Sequence, residues 1–328
     1  MADPTSSPPV SVFMTVLNEE AALETCVARI FEQDYAGDFE LVVAVGPSKD
    51  DTWGVASRLA EKEPRLTVVR NPTGYTPHGL NAAIAAARHD ILVRADGHAF
   101  LPDDYLTAVV ALLESSGAAN VGGRMVPEGD GTVSGAVAVA MSSPYGIGGA
   151  AFHVGGEAGP QPTVYLGAFR RAALEEIGGY DEHFIRAQDW ELNHRLREAG
   201  HLVWFDPALG VSYHPRSSWK AFAQQQFRTG GWRRRVIEEH RNTASVRYLA
   251  PPLTVLAILV GLLAAALSPL LGGWLLLGLA APVGYLAMVI VLGLLEGRGQ
   301  PWPVRLRVPV AFAVLHLSWG TGFLLRAR

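Results

Sequence analysis

Ile91-Leu92-Val93-Arg94-Ala95-Asp96-Gly97-His98-Ala99 is the stretch that decides the fold of this chain. Three apolar residues make a short strand, and the turn after it offers an aspartate and a histidine one residue apart. In extended backbone the side chains at i and i+2 point the same way. Asp96 and His98 can therefore address one divalent cation together. A carboxylate with an imidazole suits Mn²⁺ or Mg²⁺ and leaves positions open for substrate phosphates. Such a site points to nucleotide-sugar chemistry, provided the surrounding chain builds a nucleotide fold and supplies a base. By itself the Asp96-Gly97 pair is also an ordinary turn.

Outward from this stretch, apolar strands alternate with helical segments. Val10–Val16 reads as a strand, 19–33 as a helix opened by Asn18, and Phe39–Val45 as a second strand. A helix over 51–62, a strand over 66–69, a helix over 79–87 and the strand 91–93 follow. This alternation predicts an α/β domain, a Rossmann-like and mostly parallel sheet with both faces covered. Ligands of such sheets sit outside the carboxyl ends of the strands. The loops at 15–19, 45–51 and 96–99 lie there, which makes Thr15, Asn18, Glu19, Ser48 and Asp96 candidate ligand contacts. Asn18 also reads as an N-cap, with Glu19 and Glu20 complementing the helix dipole. The turn at Gly46-Pro47-Ser48 and the polar loop from Asn71 to Asn81 each lead into a helix N-terminus that can receive an anion. Plain turn chemistry accounts for both loops equally well. Residues 122–159, rich in Gly, Ala and Ser, exceed an ordinary connection and read as a region covering the substrate.

Further along, Gly178-Gly179-Tyr180-Asp181-Glu182 leads into Gln188-Asp189-Trp190-Glu191-Leu192-Asn193, where the pattern becomes helical. Asp189 falls at the helix start. It is either an N-cap or a general base aimed into the cleft, with Glu191 beside it to bind an acceptor or orient the site.

Composition divides the chain. It has 328 residues, 49% hydrophobic and 18% charged, and charge nearly vanishes after Ala250. Residues 250–271 and 274–295 are each long enough to cross a bilayer as a helix. The third apolar segment, Val308–Leu325, is shorter and carries His316, Ser318 and Thr321. Arg233, Arg234, Arg235, Arg241 and Arg247 precede the first segment, and Arg298, Arg305 and Arg307 separate the second from the third. The positive-inside rule puts both groups in the cytoplasm. If the third segment crosses, Arg326 and Arg328 emerge outside against that rule, and a re-entrant or tilted helix removes the conflict. The aromatics and arginines of 219–235 suit the headgroup level and a phosphate-bearing lipid. A net charge of −4 gives no basic field for nucleic acid. The single cysteine, Cys26, forms no internal disulfide and fits a reducing cytoplasm. Residues 1–9 read as a disordered tail without the pattern of a signal peptide. The expected organisation is a tail (1–9), a catalytic domain (10–218), a juxtamembrane segment (219–249) and a membrane region (250–328).

Taken in order, these motifs resemble the family 2 glycosyltransferases of GT-A fold, and in particular their ExoA-like branch of succinoglycan biosynthesis. The resemblance runs from about residue 10 to 247. It includes Asn18-Glu19, Gly79-Leu80-Asn81, Asp96-Gly97-His98-Ala99, Met141-Ser142-Ser143-Pro144, Tyr165-Leu166-Gly167, Gln188-Asp189-Trp190-Glu191 and Pro215-Arg216-Ser217-Ser218. It implies inverting transfer of a sugar from a nucleotide-diphosphate donor, a UDP-sugar by preference. In this reading Asp96 is the metal-and-nucleotide aspartate, and His98 stands where many relatives carry a second aspartate. Asp189 is the base and Glu191 the acidic position after it. The donor contacts are then Thr15, Asn18, Glu19, Ser48, Asn81 and Asp96, and the acceptor contacts Trp190, Glu191 and Trp232. The chain departs from the family at Val45, where relatives commonly carry an aspartate that contacts the base. Only Trp232 of Arg228-Thr229-Gly230-Gly231-Trp232 fits the Gln-x-x-Arg-Trp motif of processive members, which implies addition of a single sugar.

The expectation is thus a multi-pass enzyme of the cytoplasmic membrane with its catalytic domain in the cytosol. It needs a divalent metal ion and acts on a lipid-linked saccharide. Two other readings stay open: a nucleotidyltransferase that releases pyrophosphate, and a membrane scaffold with a decayed donor site, for which Val45 speaks.

Overall fold

The computed structural model describes residues 7–97 and 100–326, so most of the expected tail, His98 and Arg328 lie outside the described residues. The chain forms two compact units. The first runs to Val126 and resumes over Gly155–Tyr213. The second joins Pro127–Val154 to everything from His214 onward.

Unit 1 alternates strands and helices: β1 (Val10–Val16), α1 (Glu20–Phe31), β2 (Phe39–Val45), α2 (Thr52–Lys62), β3 (Leu66–Arg70), α3 (Thr76–Ala86), β4 (Ile91–Arg94), α4 (Tyr105–Ser116) and β5 (Asn120–Pro127). After unit 2's insertion, α5 (Thr132–Ser142) and α6 (Ala151–Val154), come β6 (Gly159–Pro160), β7 (Tyr165–Arg170), α7 (Arg171–Glu176), α8 (Gln188–Glu198) and β8 (Val203–Tyr213). The strands form one sheet in the order β3-β2-β1-β4-β7-β5-β8-β6. β2 is buried at every position and β1 at all but Thr15. These are the near-continuous apolar runs of strands covered on both faces. The one carboxylate inside β2, Glu40, is satisfied by Ser11 Oγ (2.7 Å) and by Arg88 through its backbone N–H and Nε (both 2.7 Å).

Register places the site. β1, β2, β3 and β4 run parallel, with Val16 opposite Val45 and Phe13 opposite Arg94. The carboxyl ends of β1, β2 and β4 therefore open on one edge. The sheet is mixed: β7 runs antiparallel to both β4 and β5, and β6 antiparallel to β8. The parallel half is the one legible as strand-helix alternation. In the other half α4 joins β4 to β5 across β7, a strand from later in the chain, so neighbours in the sheet are not neighbours in the sequence.

Unit 2 is helical. Beside α5 and α6 it holds α9 (Trp219–Glu239), α10 (Val246–Leu271), α11 (Ala280–Glu296), α12 (Trp302–Arg305) and α13 (Val308–Leu325). Three stretches, Val246–Leu271, Gly273–Glu296 and Trp302–Leu325, are long and apolar enough to cross a membrane. The second opens with a 3₁₀ segment, Gly273–Leu279, before α11 begins. The first domain, expected to end at 218, ends at Tyr213, and Pro127–Val154, expected inside it, folds with the C-terminal helices. Its helix α5 is apolar and small-sided, and packs on α12 and α13.

α13 is the best buried of the three apolar stretches. Glycines let it approach its neighbours closely. A Cβ on Gly230 of α9 would meet the Trp319 carbonyl oxygen at 2.0 Å, and one on Gly322 would meet the Phe227 carbonyl oxygen at 1.9 Å. Near its start, Pro309 lies against Gly293 in the last turns of α11. Near its end, Gly320 lies against Pro251 in the first turns of α10. Between them, His316 contacts the Tyr285 hydroxyl and the carbonyls of Tyr145 and Gly146. Arg234 of α9 then donates to the carbonyls of Phe323 and Leu324, and Arg326 pairs with Glu238 at 2.8 Å.

Candidate active site

The loops after β1 and β2 clasp one another at the sheet edge. Asn18 takes left-handed backbone (φ 57°), a conformation asparagine tolerates better than most residues. Its N–H donates to Ser48 Oγ (3.0 Å), and its Oδ1 accepts from the Lys49 N–H (2.7 Å). Asn18 is thus not the N-cap of α1. That place falls to Glu19, which makes no side-chain cap bond, because the Asn18 amide turns across to the second loop. The Glu19 N–H donates to Thr52 Oγ1 (2.9 Å). A shallow depression of about 480 Å³ lined by Asn18, Glu19, Glu20 and Asp50 lies over this clasp. Thr15 Oγ1 donates to the Ala44 carbonyl and accepts from Asn71 Nδ2. The Thr15 hydroxyl therefore knits the strand ends.

Asp96 follows β4 at the same edge, with its side chain one quarter exposed. Glu19 borders the turn after it: a Cβ on Gly97 would sit 3.7 Å from Glu19 Cγ. Cys26 donates its thiol to the Asp96 carbonyl oxygen at 3.8 Å. Burial pushes this thiol up to about 12, so it stays protonated.

Asp189 reaches the same place from α8. That helix begins at Gln188 with Ala187 at the cap position in left-handed backbone. Asp189 therefore lies within the first turn, and capping does not explain it. One buried guanidinium joins the two aspartates: Arg94 Nη1 donates to Asp189 Oδ1, and Arg94 Nη2 to Asp96 Oδ1 at 3.0 Å. Arg94 is 5% exposed. The two carboxylates hold it charged against the burial that opposes charge. The protein packed around Asp189 pushes its carboxyl above the usual carboxylate range. Arg94 pulls it back, Asp96 pushes it up again, and the net direction is upward.

A hydrogen-bonded loop supports this pair. Gly178 and Gly179 take φ of 78° and 73°, which glycine adopts without strain, and turn the chain so that Tyr180 is buried beside Arg94 and Asp189. Asn81 fixes the loop: its Oδ1 accepts from the Tyr180 N–H (2.9 Å), and its Nδ2 donates to the Tyr180 carbonyl (2.8 Å) and to Glu182 (3.2 Å). Asn81, expected at the donor, is thus a strut between α3 and this loop, its amide committed at both ends. Glu191, expected at the acceptor, is 1% exposed and bonds Arg195 through both oxygens (2.6 and 2.7 Å). Arg195 in turn donates to the carbonyls of Ile177 and Gly179. A carboxylate so enclosed has no reach to a substrate.

Trp190 stacks on His194 with ring centroids 5.4 Å apart. Trp232 lies in unit 2, 3% exposed, with the Arg235 guanidinium 4.4 Å above its ring. Buried under Arg235, the ring is not open to an acceptor. Arg94, Tyr180 and Arg195 are the site residues that sequence reasoning missed. The signal for Arg94 was a charged residue closing an otherwise apolar strand two places before an aspartate.

The chain matches the family model of glycosyl transferase family 2 over residues 11–178. It is 30% identical over 315 residues to the succinoglycan biosynthesis protein ExoA of Rhizobium meliloti (strain 1021), covering 95% of this chain and 93% of that one. It is 26% identical over 230 residues to the dolichyl N-acetyl-alpha-D-glucosaminyl phosphate 3-beta-D-2,3-diacetamido-2,3-dideoxy-beta-D-glucuronosyltransferase of Methanococcus voltae, covering 67% of this chain and 71% of that one. Among solved structures it resembles the mannosyltransferase PcManGT of Pyrobaculum calidifontis in complex with GDP-Man and Mn²⁺. The TM-score is 0.60 at 22% identity, covering 95% of this chain and 87% of that one.

Proposed function

The chain belongs to glycosyl transferase family 2 and is a glycosyltransferase of GT-A fold, and from that premise we propose that it moves a sugar from a nucleotide-diphosphate sugar to a lipid-linked saccharide with inversion at the anomeric carbon. The observation that carries this reading is the single guanidinium of Arg94 holding Asp189 and Asp96 at one sheet edge. Two carboxylates so placed can do different work. Asp189, half-exposed at the start of α8, takes the proton from the acceptor hydroxyl as that oxygen attacks. Asp96, at the exit of β4, faces the donor diphosphate. Attack and departure on opposite faces of the sugar invert the anomeric centre.

The residues fit a divalent cation. Asp96 offers a hard oxygen donor, and His98 is the second ligand in the sequence reading. No group of three or more His, Cys, Asp or Glu able to hold a metal exists among the described residues. The proposed ion is held by these one or two protein ligands and completed by substrate phosphates. When bound there, such an ion neutralises charge on the leaving diphosphate. The Mn²⁺ and GDP-Man of the mannosyltransferase complex support a metal and a nucleotide sugar, and they keep the base of the donor a matter for experiment. α10 and α11 are taken as two membrane spans, anchoring a cytosolic catalytic unit in the inner membrane. That anchorage, and the dolichyl N-acetyl-alpha-D-glucosaminyl phosphate in the name of the Methanococcus relative, support a lipid-linked acceptor.

The experiment is a donor panel. The purified full-length enzyme is offered UDP-glucose, UDP-galactose and GDP-mannose with Mn²⁺ and with EDTA. Metal-dependent release of a nucleoside diphosphate from one of them supports the reading. Release of pyrophosphate, or turnover indifferent to EDTA, contradicts it.

A further inference from the structure

Arg94 closes a short strand that is otherwise apolar. β4 lies between β1 and β7, its other three residues are buried and aliphatic, and Arg94 itself is 5% exposed. Its Nε is buried with no hydrogen-bond partner among the described residues, while Nη1 and Nη2 each bind a different aspartate. A guanidinium in such a place is an expensive way to stabilise a fold, since apolar residues of similar volume often do so as well or better. What it supplies that they lack is a planar fork of fixed geometry.

We propose that Arg94 is a positioning residue for sugar transfer: its guanidinium holds the Asp189 carboxylate at a set distance and bearing from Asp96, so that the base meets the acceptor oxygen in line with the departing diphosphate. The inference rests on the reading of Asp189 as the base. It adds that this carboxylate is placed by β4 as well as by its own helix. Asp189 is joined to α8 through one flexible side chain, and Asp96 presents a like charge nearby. Without the bridge, repulsion drives the two carboxylates apart. The buried fork lies beneath both groups and does not itself meet substrate. Its loss therefore appears in turnover, with donor affinity kept. Lysine at 94 keeps the charge but not the fork, and a single ammonium cannot hold both oxygens in one plane.

The test is a double-mutant cycle on the full-length enzyme: wild type, Arg94→Lys, Asp189→Asn and the double variant. Turnover is read as nucleoside diphosphate released, with Mn²⁺, from whichever of UDP-glucose, UDP-galactose or GDP-mannose the wild type cleaves. Binding of UDP or GDP with Mn²⁺ is measured alongside. Arg94→Lys is expected to lower kcat about 10- to 100-fold, as a misplaced reacting group does, while donor KM and nucleotide binding stay within about threefold. In the Asp189→Asn background the same change is expected to cost less than about twofold, because the carboxylate it positions is no longer a base. Three results overturn the proposal: wild-type kcat in Arg94→Lys, an equal loss in both backgrounds, or a loss confined to KM. Near-normal turnover in Asp189→Asn sinks the reading of the base itself, whereas a dead Asp189→Asn beside a normal Arg94→Lys sinks only the positioning role. If Arg94→Lys does not fold, Arg94→Gln, which keeps a planar amide donor, carries the cycle with the same outcomes.

Discussion

Asp189 has an ionisation that the assay can read. In the proposed role of base Asp189 must be ionised to take a proton, and the packing around it raises its carboxyl above the ordinary range. As pH falls, Asp189 therefore becomes protonated sooner than a solvent-exposed aspartate, whose pKa is about 3.9. A kcat profile between pH 4 and 8 is expected to lose activity on the acid side with a midpoint above that value, and to hold a plateau above it. At this scale the sequence was legible in placing residues on local elements. Asp96 announces itself by following an apolar strand, and Asp189 by standing in the first turn of a polar helix. Arg94 was marked only by its place at the end of an apolar strand, and its role was not legible, because its partner Asp189 lies 95 residues away. Glu191 and Asn81 misled for a related reason. Each is a polar residue in a motif beside the site, and only the packing of α8 and α3 reveals that Arg195 and the Tyr180 loop claim their hydrogen-bonding atoms.

The elements that carry these residues meet through glycines. Gly79 in the first turn of α3 lies so close to β1 that a Cβ would come within 2.1 Å of Thr15 Oγ1 and 2.6 Å of Asn71 Nδ2. Gly79→Ala is expected to push α3 off the strand ends and to lower stability by about 1–3 kcal/mol, as overpacking of a close contact does. A thermal melt of the purified variant reads this directly, and an unchanged Tm contradicts the close approach. The strands and helices of the parallel half were legible from periodicity because each unit there is local: a strand, a covering helix, the next strand. β5 to β8 were not legible as sheet members. Their pairing joins segments far apart in sequence, such as Val93 with Ala168. The insertion of Pro127–Val154 into the helical unit was hidden too, because the small apolar residues of α5 fit a cleft cover as well as a helix packed on α12 and α13.

For the molecule as a whole, α13 bears on an ambiguity the charges posed. Its start lies against the end of α11, and its end against the beginning of α10 and the arginine-bearing helix α9. If α10 and α11 form a hairpin across the bilayer, the end of α11 and the beginning of α10 are on one face. A helix that links them has both its ends on that face, so α13 is expected not to cross. Arg326 then stays with the other arginines, in accord with the positive-inside rule. A reporter fused after Arg328 is expected to score as cytosolic, fluorescent as GFP and inactive as alkaline phosphatase, and active phosphatase contradicts this topology. The proposed function stands on two aspartates dividing the labour of one transfer, and a single comparison examines that. Asp189→Asn is assayed beside wild type for nucleotide binding and for turnover of the preferred donor. The expected result is unaltered Mn²⁺-dependent binding with kcat lower by about 10²–10⁴-fold, the contribution of a positioned general base, and turnover within a few-fold of wild type would remove Asp189 from the chemistry.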